Sequence, residues 1–230
     1  MKNLFDFILS FFLLIIFLPL IIILAIAIFF TDFNNPFYIS KRVGKNFKIF
    51  DMLKFRSMKV NADKNQVFST KSDDDRITKI GKFLRQFKLD ELPQLVNIFF
   101  GQMSFVGPRP NVKFEVDKYF DDEKKLLSIK PGITDFSSII FCDEGNILKN
   151  SNDPNKDYNL LIRPWKSKLG LIYIKESNLI LDFKIILWTL CNFINRNYVL
   201  NKISLFLKNK EYPENICEIC LRKENFEKYI

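Results

Sequence analysis

An uncharged apolar run near the N-terminus limits what this chain can fold into more than any other feature. It extends from Phe7 to Phe30 and contains 24 residues. As a straight helix it would be ~36 Å long, which exceeds the ~30 Å hydrocarbon core of a bilayer. It is too long for the apolar part of a secretory signal, and no cleavage site of small residues follows it. We therefore expect residues 1–35 to form a membrane segment.

Pro19 lies near the middle of this run. Proline removes one helical hydrogen bond and clashes with the carbonyl four residues earlier, so we expect a kink or a break there. Two paths remain open. A kinked spanning helix would place the N-terminus outside the cell. A re-entrant helix broken at Pro19 would return to the side it came from, with each half rising only ~18 Å.

The distribution of basic residues predicts which side of the membrane the rest of the chain occupies. Lys41, Arg42, Lys45 and Lys48 follow the apolar run, whereas Lys2 alone precedes it. The positive-inside rule therefore places the body in the cytoplasm. The net charge of +9 would also attract it to anionic lipid. A nucleic-acid binder is the alternative, but no recognition motif supports it, and we expect no nucleic-acid partner.

The chain has no histidine, which excludes imidazole general bases and His-dependent nucleophiles or metal sites. Catalysis would have to use carboxylates, Lys, Arg, Tyr, Cys or a bound ion. Cys217 and Cys220 form a lone C-x-x-C pair. A zinc site needs about four ligands and usually a second pair. We therefore expect free thiols, with a redox pair or a half-site shared across a dimer as alternatives.

The body reads as an α+β domain over residues 36–194, with a small β-hairpin followed by amphipathic helices at the membrane face. Residues 36–58 show strand-like alternation around a turn at 43–46, with Phe47, Ile49, Leu53 and Phe55 as its apolar positions. Helical spacing is found over 77–100, 115–128, 160–175 and 180–194. Residues 61–75 are predicted to form a polar loop. We assign no function to the C-terminal extension, residues 195–230.

The segment from Leu89 to Gln94 carries the most chemical information. Asp is a preferred helix N-cap and Pro is tolerated in the first turn, so we expect Asp90 to cap a helix over 91–99. The helix dipole would keep its carboxylate ionised and attract a phosphate. Glu91 could hold Mg²⁺, which binds one or two carboxylates together with substrate phosphates. An ordinary capped helix is the competing interpretation.

A second segment presents an arginine between two prolines. Pro108 and Pro110 flank Arg109, which fixes its backbone and presents a five-donor fork suited to a diphosphate. A rigid surface turn is the alternative. Basic side chains recur at Lys54, Arg56 and Arg85.

Four blocks of the sequence resemble the bacterial sugar transferases, the monotopic polyprenyl-phosphate phosphoglycosyl transferases. They are KFRSM at 54–58, RITKIGKFLRQFKLDELPQLVNIF at 76–99, GQMSFVGPRP at 101–110 and KPGIT at 130–134. They occur in the family's order and spacing, and the resemblance covers residues 1–194. DELPQ alone would be a weak match, whereas the four blocks together are specific.

The resemblance implies transfer of sugar-1-phosphate from a UDP-sugar to polyprenyl (undecaprenyl) phosphate at the bacterial inner membrane, which initiates surface glycan synthesis. It implies that Asp90 is the nucleophile of a covalent intermediate and that Glu91 assists with Mg²⁺. Lys54, Arg56, Arg85 and Arg109, with Pro108 and Pro110, would bind phosphates or nucleotide. Downstream glycosyltransferases are candidate partners. A catalytically inactive membrane scaffold is the alternative function.

The chain departs from the family pattern at three positions. Leu18-Pro19 replaces the Ser-Pro pair at which the family's re-entrant helix is broken, and we still favour the re-entrant path. Asp135 stands where the family usually has Gly. Cys142 stands where many members have a phosphate-binding Arg, which would weaken donor binding or mark a different donor.

Overall fold

The computed structural model describes residues 1–62 and 70–222, which form two units. The first comprises 1–62, 73–105 and 110–133, and the second comprises 70–72, 106–109 and 134–222. The membrane segment therefore belongs to the first unit, and the described part of the C-terminal extension belongs to the second. The part of the predicted 61–75 loop at 63–69 lies outside the described residues.

The helices are α1 (Lys2–Asp32), α2 (Lys79–Gln86), α3 (Gln94–Phe99), α4 (Lys113–Val116), α5 (Asp121–Lys124), α6 (Phe136–Ile140), α7 (Glu144–Ile147), α8 (Pro154–Asp157), α9 (Arg163–Glu176), α10 (Leu179–Asn192), α11 (Arg196–Asn209) and α12 (Glu214–Ile219). Single 3₁₀ turns cover Lys45–Phe47, Leu89–Glu91 and Lys125–Ser128, and a π turn covers Tyr158–Ile162. The strands are β1 (Phe37–Val43) paired with β2 (Ile49–Phe55), and β3 (Ser104–Val106) paired with β4 (Gly132–Thr134). The mixed α+β class is confirmed.

Helix α1 is the one helix of the described residues that is long and apolar enough to cross a membrane. It contains Pro19 and is helical on both sides of it. The interruption that we expected at Pro19 is therefore not found in the secondary structure. A proline removes only one backbone hydrogen bond, and a long helix can continue through it. The re-entrant path stays a prediction.

Both ends of α1 contact the rest of the first unit. Near its N-terminus, Asp6 accepts a hydrogen bond of 3.2 Å from the backbone N–H of Phe105, and Phe7 stacks on Phe99 at 5.0 Å between ring centroids. Near its C-terminus, Ile28 is buried in a cluster with Phe55. Large apolar side chains on the opposite face of α1 remain exposed.

The predicted hairpin is confirmed, with antiparallel register from Phe37 opposite Phe55 to Val43 opposite Ile49. Of the alternating apolar positions, Phe55 is buried, whereas Ile49 is exposed and Phe47 lies in the turn. Phe50 and Met52, at intervening positions, are also buried. β2 has apolar side chains on both faces, so alternation alone could not decide which face is covered.

The helical segment predicted over 77–100 is divided into α2, the 3₁₀ turn Leu89–Glu91 and α3. Thr78 caps α2 by accepting a hydrogen bond from Gly81 N at 3.0 Å. Lys88 then adopts left-handed backbone angles (φ 57°, ψ 20°) and redirects the chain. The helix predicted over 115–128 is also corrected, because α4, α5 and a 3₁₀ turn are separate short elements.

The described part of the second unit is mainly helical. The helices predicted over 160–175 and 180–194 correspond to α9, with its preceding π turn, and α10. The Tyr173 hydroxyl is buried, 3.1 Å from Val106 O and 2.5 Å from Asp182 Oδ1. The described extension forms α11 and α12. It is held by buried apolar side chains, namely Val199, Leu200, Ile203, Leu207 and Ile219.

Candidate functional site

The two predicted dyad residues, Asp90 and Glu91, lie in the 3₁₀ turn between α2 and α3 and are only 6% and 8% exposed. The expected cap is corrected, because Pro93 occupies the position before α3. Asp90 therefore lies about one turn before the start of α3 and does not cap it. The left-handed Lys88 allows this, since it starts a separate turn ahead of α3.

Strand β2 brings a cation to the dyad. Lys54 Nζ lies 3.4 Å from Glu91 Oε1, and both side chains are largely buried. Asn97 joins α3, the helix that follows the dyad, to β2. Its Oδ1 accepts from Leu53 N at 2.9 Å, and its Nδ2 donates to Asp51 O at 2.8 Å. The hairpin is therefore held to α3 by two hydrogen bonds and to the dyad by the ion pair.

Asp90 has an unusual electrostatic environment. Burial raises the pKa of its carboxyl group above the ordinary value, and the neighbouring Glu91 adds to the rise. Lys54, Arg85 and Lys88 oppose the rise, with Lys54 the strongest of the three. We expected the helix dipole to keep this carboxylate ionised, but burial works against the charged form. Its ionisation depends on nearby cations.

Two buried polar atoms near the dyad have no hydrogen-bond partner: Asp90 Oδ1 and Gln94 Nε2. Buried polar atoms are nearly always hydrogen-bonded to protein or ordered water, so each of these two atoms has room for a partner from outside the chain. Gln94 is 1% exposed and follows Asp90 by four residues. Sequence reasoning missed Gln94 as a site residue, although it is the last residue of the DELPQ segment. It also missed Lys88.

The remaining predicted cations of the first unit differ in their contacts. Arg85 donates from Nε to Ser57 Oγ at 3.0 Å and acts electrostatically on Asp90. Arg56 instead makes a bidentate pair with Asp32 at 2.5 and 2.6 Å, and donates to Asn35 O at 2.7 Å. Its described contacts therefore fasten the end of α1 to β2, and no described contact joins Arg56 to the dyad.

Arg109 belongs to the second unit, where its side chain is half-buried; Pro108 and Pro110 are both buried. Gly107 N donates to Thr134 O at 3.0 Å, which ties the Gly-Pro-Arg segment to the end of β4. Lys166 on α9 is close enough to Arg109 for the two charges to repel. Lys166 is a second cation that sequence reasoning did not single out.

Two of the residues that depart from the family pattern, Asp135 and Cys142, have partners in the second unit. Asp135 caps α6 by accepting from Ser138 N at 2.7 Å and Ser137 Oγ at 2.8 Å. Burial raises its pKa, and these hydrogen bonds oppose the rise. Cys142 Sγ is 3.6 Å from Asn192 Nδ2. Cys142 is half-buried, and all four cysteines are free, including the Cys217 and Cys220 pair for which we expected free thiols.

The dyad offers a limited set of metal ligands. Among the described residues there is no group of three or more Cys, Asp or Glu side chains that could hold a metal ion. Two carboxylates, one with an orphaned buried oxygen, suit a hard cation that takes its other ligands from water and substrate phosphates. The residues present therefore fit Mg²⁺ in a substrate complex.

Comparison with known proteins identifies a family that this chain matches. The family model described as "Bacterial sugar transferase" matches residues 1–196. The chain is similar to the "Galactosyl transferase CpsE" of Streptococcus agalactiae, with 39% identity over 170 residues. It is also similar to the "UDP-glucose:undecaprenyl-phosphate glucose-1-phosphate transferase" of Klebsiella pneumoniae, with 34% identity over 200 residues.

These two alignments cover 69% and 85% of this chain, but only 34% and 41% of the respective relatives. The chain thus spans less than half the length of either protein. The "Exopolysaccharide production protein ExoY" of Sinorhizobium fredii is 36% identical over 148 residues, which are 58% of this chain and 66% of that protein. Each alignment ties the chain to proteins named for sugar transfer or polysaccharide production.

Proposed function

Because the chain belongs to the bacterial sugar transferase family, we propose that it transfers sugar-1-phosphate from a UDP-sugar to polyprenyl (undecaprenyl) phosphate. The products are polyprenyl-diphosphate-sugar and UMP, and the reaction initiates a surface glycan or glycoconjugate. The names of the Klebsiella relative and of the Salmonella typhimurium "Undecaprenyl-phosphate galactose phosphotransferase" support both substrate classes. Downstream glycosyltransferases would consume the lipid-linked product.

The reaction proceeds in two steps through Asp90. In the first step, a carboxylate oxygen of Asp90 attacks the β-phosphorus of the donor. A bond forms between this oxygen and phosphorus, the bond to the bridging oxygen breaks, and UMP leaves with the electron pair. In the second step, an oxygen of polyprenyl phosphate attacks the same phosphorus and displaces the Asp90 carboxylate. Covalent catalysis divides one difficult transfer into two easier ones.

The cations around Asp90 support this role. Lys54 and Arg85, with Lys88, favour the ionised carboxylate against the cost of burial. The same positive charges would stabilise the negative phosphoryl oxygens in the transition state. Arg109 would bind the diphosphate through its guanidinium fork. When bound, Mg²⁺ would neutralise charge on the diphosphate oxygens, and Glu91 is the residue that would hold it.

The nucleophile must be accessible to a lipid phosphate. The contacts of α1 support a position of the dyad close to the membrane. Both ends of α1 contact the same unit that carries the dyad, through Asp6 and Phe7 at one end and Ile28 at the other. A helix that crossed the bilayer would separate its ends by the membrane. We therefore infer that α1 re-enters on the side of the catalytic body by bending at Pro19 within a continuous helix. Charge distribution favours the cytoplasmic face.

The observation that carries the proposal is the buried, unpartnered Oδ1 of Asp90 beside an ion pair of Lys54 and Glu91. Burying a carboxyl group with an unpartnered oxygen costs stability. Groups perturbed in this way cluster at functional sites. The alternative function, an inactive membrane scaffold, would not need this arrangement.

The test is UMP release by the purified protein in nanodiscs with Mg²⁺, polyprenyl phosphate and a panel of UDP-sugars. We expect one donor to release UMP and Asp90→Asn to abolish the release. Equal release by Asp90→Asn and the wild type would exclude Asp90 as the nucleophile. If folded protein released no UMP from any donor, either the donor is a nucleotide sugar outside the panel or the protein is the scaffold.

A further inference from the structure

The C-terminal extension beyond residue 196 lies outside the family match, yet it is tied to the second unit by charged contacts. Arg222, the last described residue, donates from Nη2 to both carboxylate oxygens of Asp143 at 3.1 Å. Its guanidinium also lies 5.4 Å from the centre of the Phe141 ring. The described part of the extension therefore contacts the short segment that joins α6 to α7.

A second arginine also binds Asp143. Arg196, at the start of α11, donates to its two oxygens at 2.9 and 2.8 Å and to Ile140 O at 3.1 Å. Burial alone would raise the pKa of Asp143, but the hydrogen bonds and charges of the two arginines lower it. The carboxylate is thus ionised and clamped between two guanidinium groups.

The residue after Asp143 continues the network toward the Gly-Pro-Arg segment. Glu144 opens α7, whose first turn hydrogen-bonds to Asp143 O. Its carboxylate pairs with Lys166 on α9. Lys166 lies 5.3 Å from the centre of the Tyr158 ring and within electrostatic range of Arg109. Without Glu144, Lys166 would lose its paired carboxylate while the repulsion from Arg109 remained.

We propose that Arg222, together with Arg196, clamps Asp143 so that Glu144 holds Lys166 beside Arg109, which makes the C-terminal extension a positioning element for donor binding. The proposal rests on the function proposed above, because it requires Arg109 and Lys166 to meet the anionic donor. Arg222 and Arg196 are positioning residues, since they act through Asp143.

The position of the Glu144 side chain depends on how firmly the segment around Asp143 is held. A four-residue helix such as α7 has little stability of its own, because helix formation depends on length and packing. The direction of Glu144 therefore depends on the anchoring of the residue before it. Loosening Asp143 would leave Lys166 with a less well-placed counter-ion, and its repulsion with Arg109 would spread the two cations. A donor diphosphate would then bind less tightly.

The experiment compares full-length Arg222→Gln and Arg222→Lys with the wild type. Lys210→Gln is the matched control, because Lys210 is another cation of the extension and pairs with Glu176 at 2.8 Å, away from Asp143. The first readout is the kcat and KM for the UDP-sugar found to be turned over. The second is hydrogen–deuterium exchange of peptides that cover 141–148 and 163–170, which requires no activity.

For Arg222→Gln we expect KM for the donor to rise about five- to tenfold with kcat within about twofold, the signature of lost binding. Arg222→Lys keeps the charge and should stay within about threefold of the wild type, since one ammonium replaces a single donating nitrogen. Lys210→Gln should leave KM unchanged. Exchange over 141–148 should speed up only in Arg222→Gln.

An unchanged donor KM in Arg222→Gln, measured on an active wild type, would overturn the positioning role alone. So would an equal rise of KM in Lys210→Gln, because it would show general loosening of the extension. If the wild type turned over no donor while exchange over 141–148 still responded to Arg222→Gln, the clamp would exist, but its role in donor binding would fall with the proposed function.

Discussion

Lys54 Nζ lies 3.4 Å from Glu91 Oε1, so the strand cation and the second carboxylate of the dyad form one buried pair. This pair leaves Asp90 as the carboxylate with an unpartnered oxygen. Lys54 is also the strongest influence lowering the pKa of Asp90 against burial. One lysine thus orients Glu91 and favours the ionised form of its neighbour.

Replacing Lys54 by Gln should lower kcat about 10²-fold, because a preorganised positive charge next to the developing phosphoryl charge is lost. It should also move the acidic limb of the pH–rate profile to higher pH. The pKa of Asp90 rises further when its strongest cation is removed, so a higher pH is needed to ionise it. The measurement is kcat against pH for both proteins.

Lys41→Gln is the matched control, since Lys41 lies on the same hairpin and pairs with the exposed Asp51 at 3.1 Å. Its pH profile should match the wild type. A Lys54→Gln profile with an unmoved acidic limb would contradict the electrostatic role of Lys54.

Asp90→Asn should stabilise the protein at neutral pH. The folded-state pKa of Asp90 is raised, so the ionised group destabilises the fold above that pKa, and this penalty is absent below the ordinary pKa of an unfolded aspartate. The variant should therefore melt about 2–4 °C higher at neutral pH if roughly 1 kcal/mol is relieved. The advantage should disappear as the pH falls below about 4.

Thermal unfolding of both proteins across this pH range is the measurement. A variant that melts lower than the wild type at neutral pH would show that the Asp90 carboxylate is stabilising, contrary to its raised pKa.

Gln94→Met should separate stability from activity. The buried Nε2 of Gln94 has no partner, and an unsatisfied buried polar group costs about 1–3 kcal/mol. A methionine of similar shape removes that cost, so the melting temperature should hold or rise. If the carboxamide serves the substrate complex, UMP release should fall at least about tenfold.

Both quantities can be measured on one preparation, with Gln86→Met at the exposed end of α2 as a control for the substitution itself. Full activity in Gln94→Met would remove Gln94 from the site.

The N-terminus and the body should be found on the same side of the membrane. Asp6 and Phe7 contact Phe105 and Phe99, while Ile28 packs near Phe55, so both ends of α1 meet one unit. An N-terminal epitope tag should resist protease added to intact spheroplasts and be digested only after lysis. A known periplasmic protein serves as the control, and digestion of the tag in intact spheroplasts would indicate a spanning helix.

Much of the site could be predicted from the sequence, because its residues occur in local patterns. Asp90, Glu91 and Lys54 were identified from their motifs, and the structure brings all three together. Arg56 differs because β2 ends at Phe55. Its spacing of two from Lys54 therefore does not place it on the same strand face, and it pairs with Asp32 instead.

Other features depend on tertiary contacts that no local pattern encodes. The left-handed Lys88, which separates α2 from the dyad turn, is not a glycine or asparagine that would signal such a bend. The partners of Asp143, Arg196 and Arg222, lie 53 and 79 residues away in sequence. Buried and unpartnered atoms such as Gln94 Nε2 emerge only when packing is known.

The most direct test of the covalent mechanism is the intact mass of the protein after incubation with its UDP-sugar and Mg²⁺ in the absence of polyprenyl phosphate. We predict an added mass equal to one sugar phosphate, located on the peptide that contains Asp90, absent from Asp90→Asn and lost when polyprenyl phosphate is supplied. Turnover by the wild type with no such adduct, or an adduct that persists in Asp90→Asn, would contradict the role of Asp90 as the nucleophile.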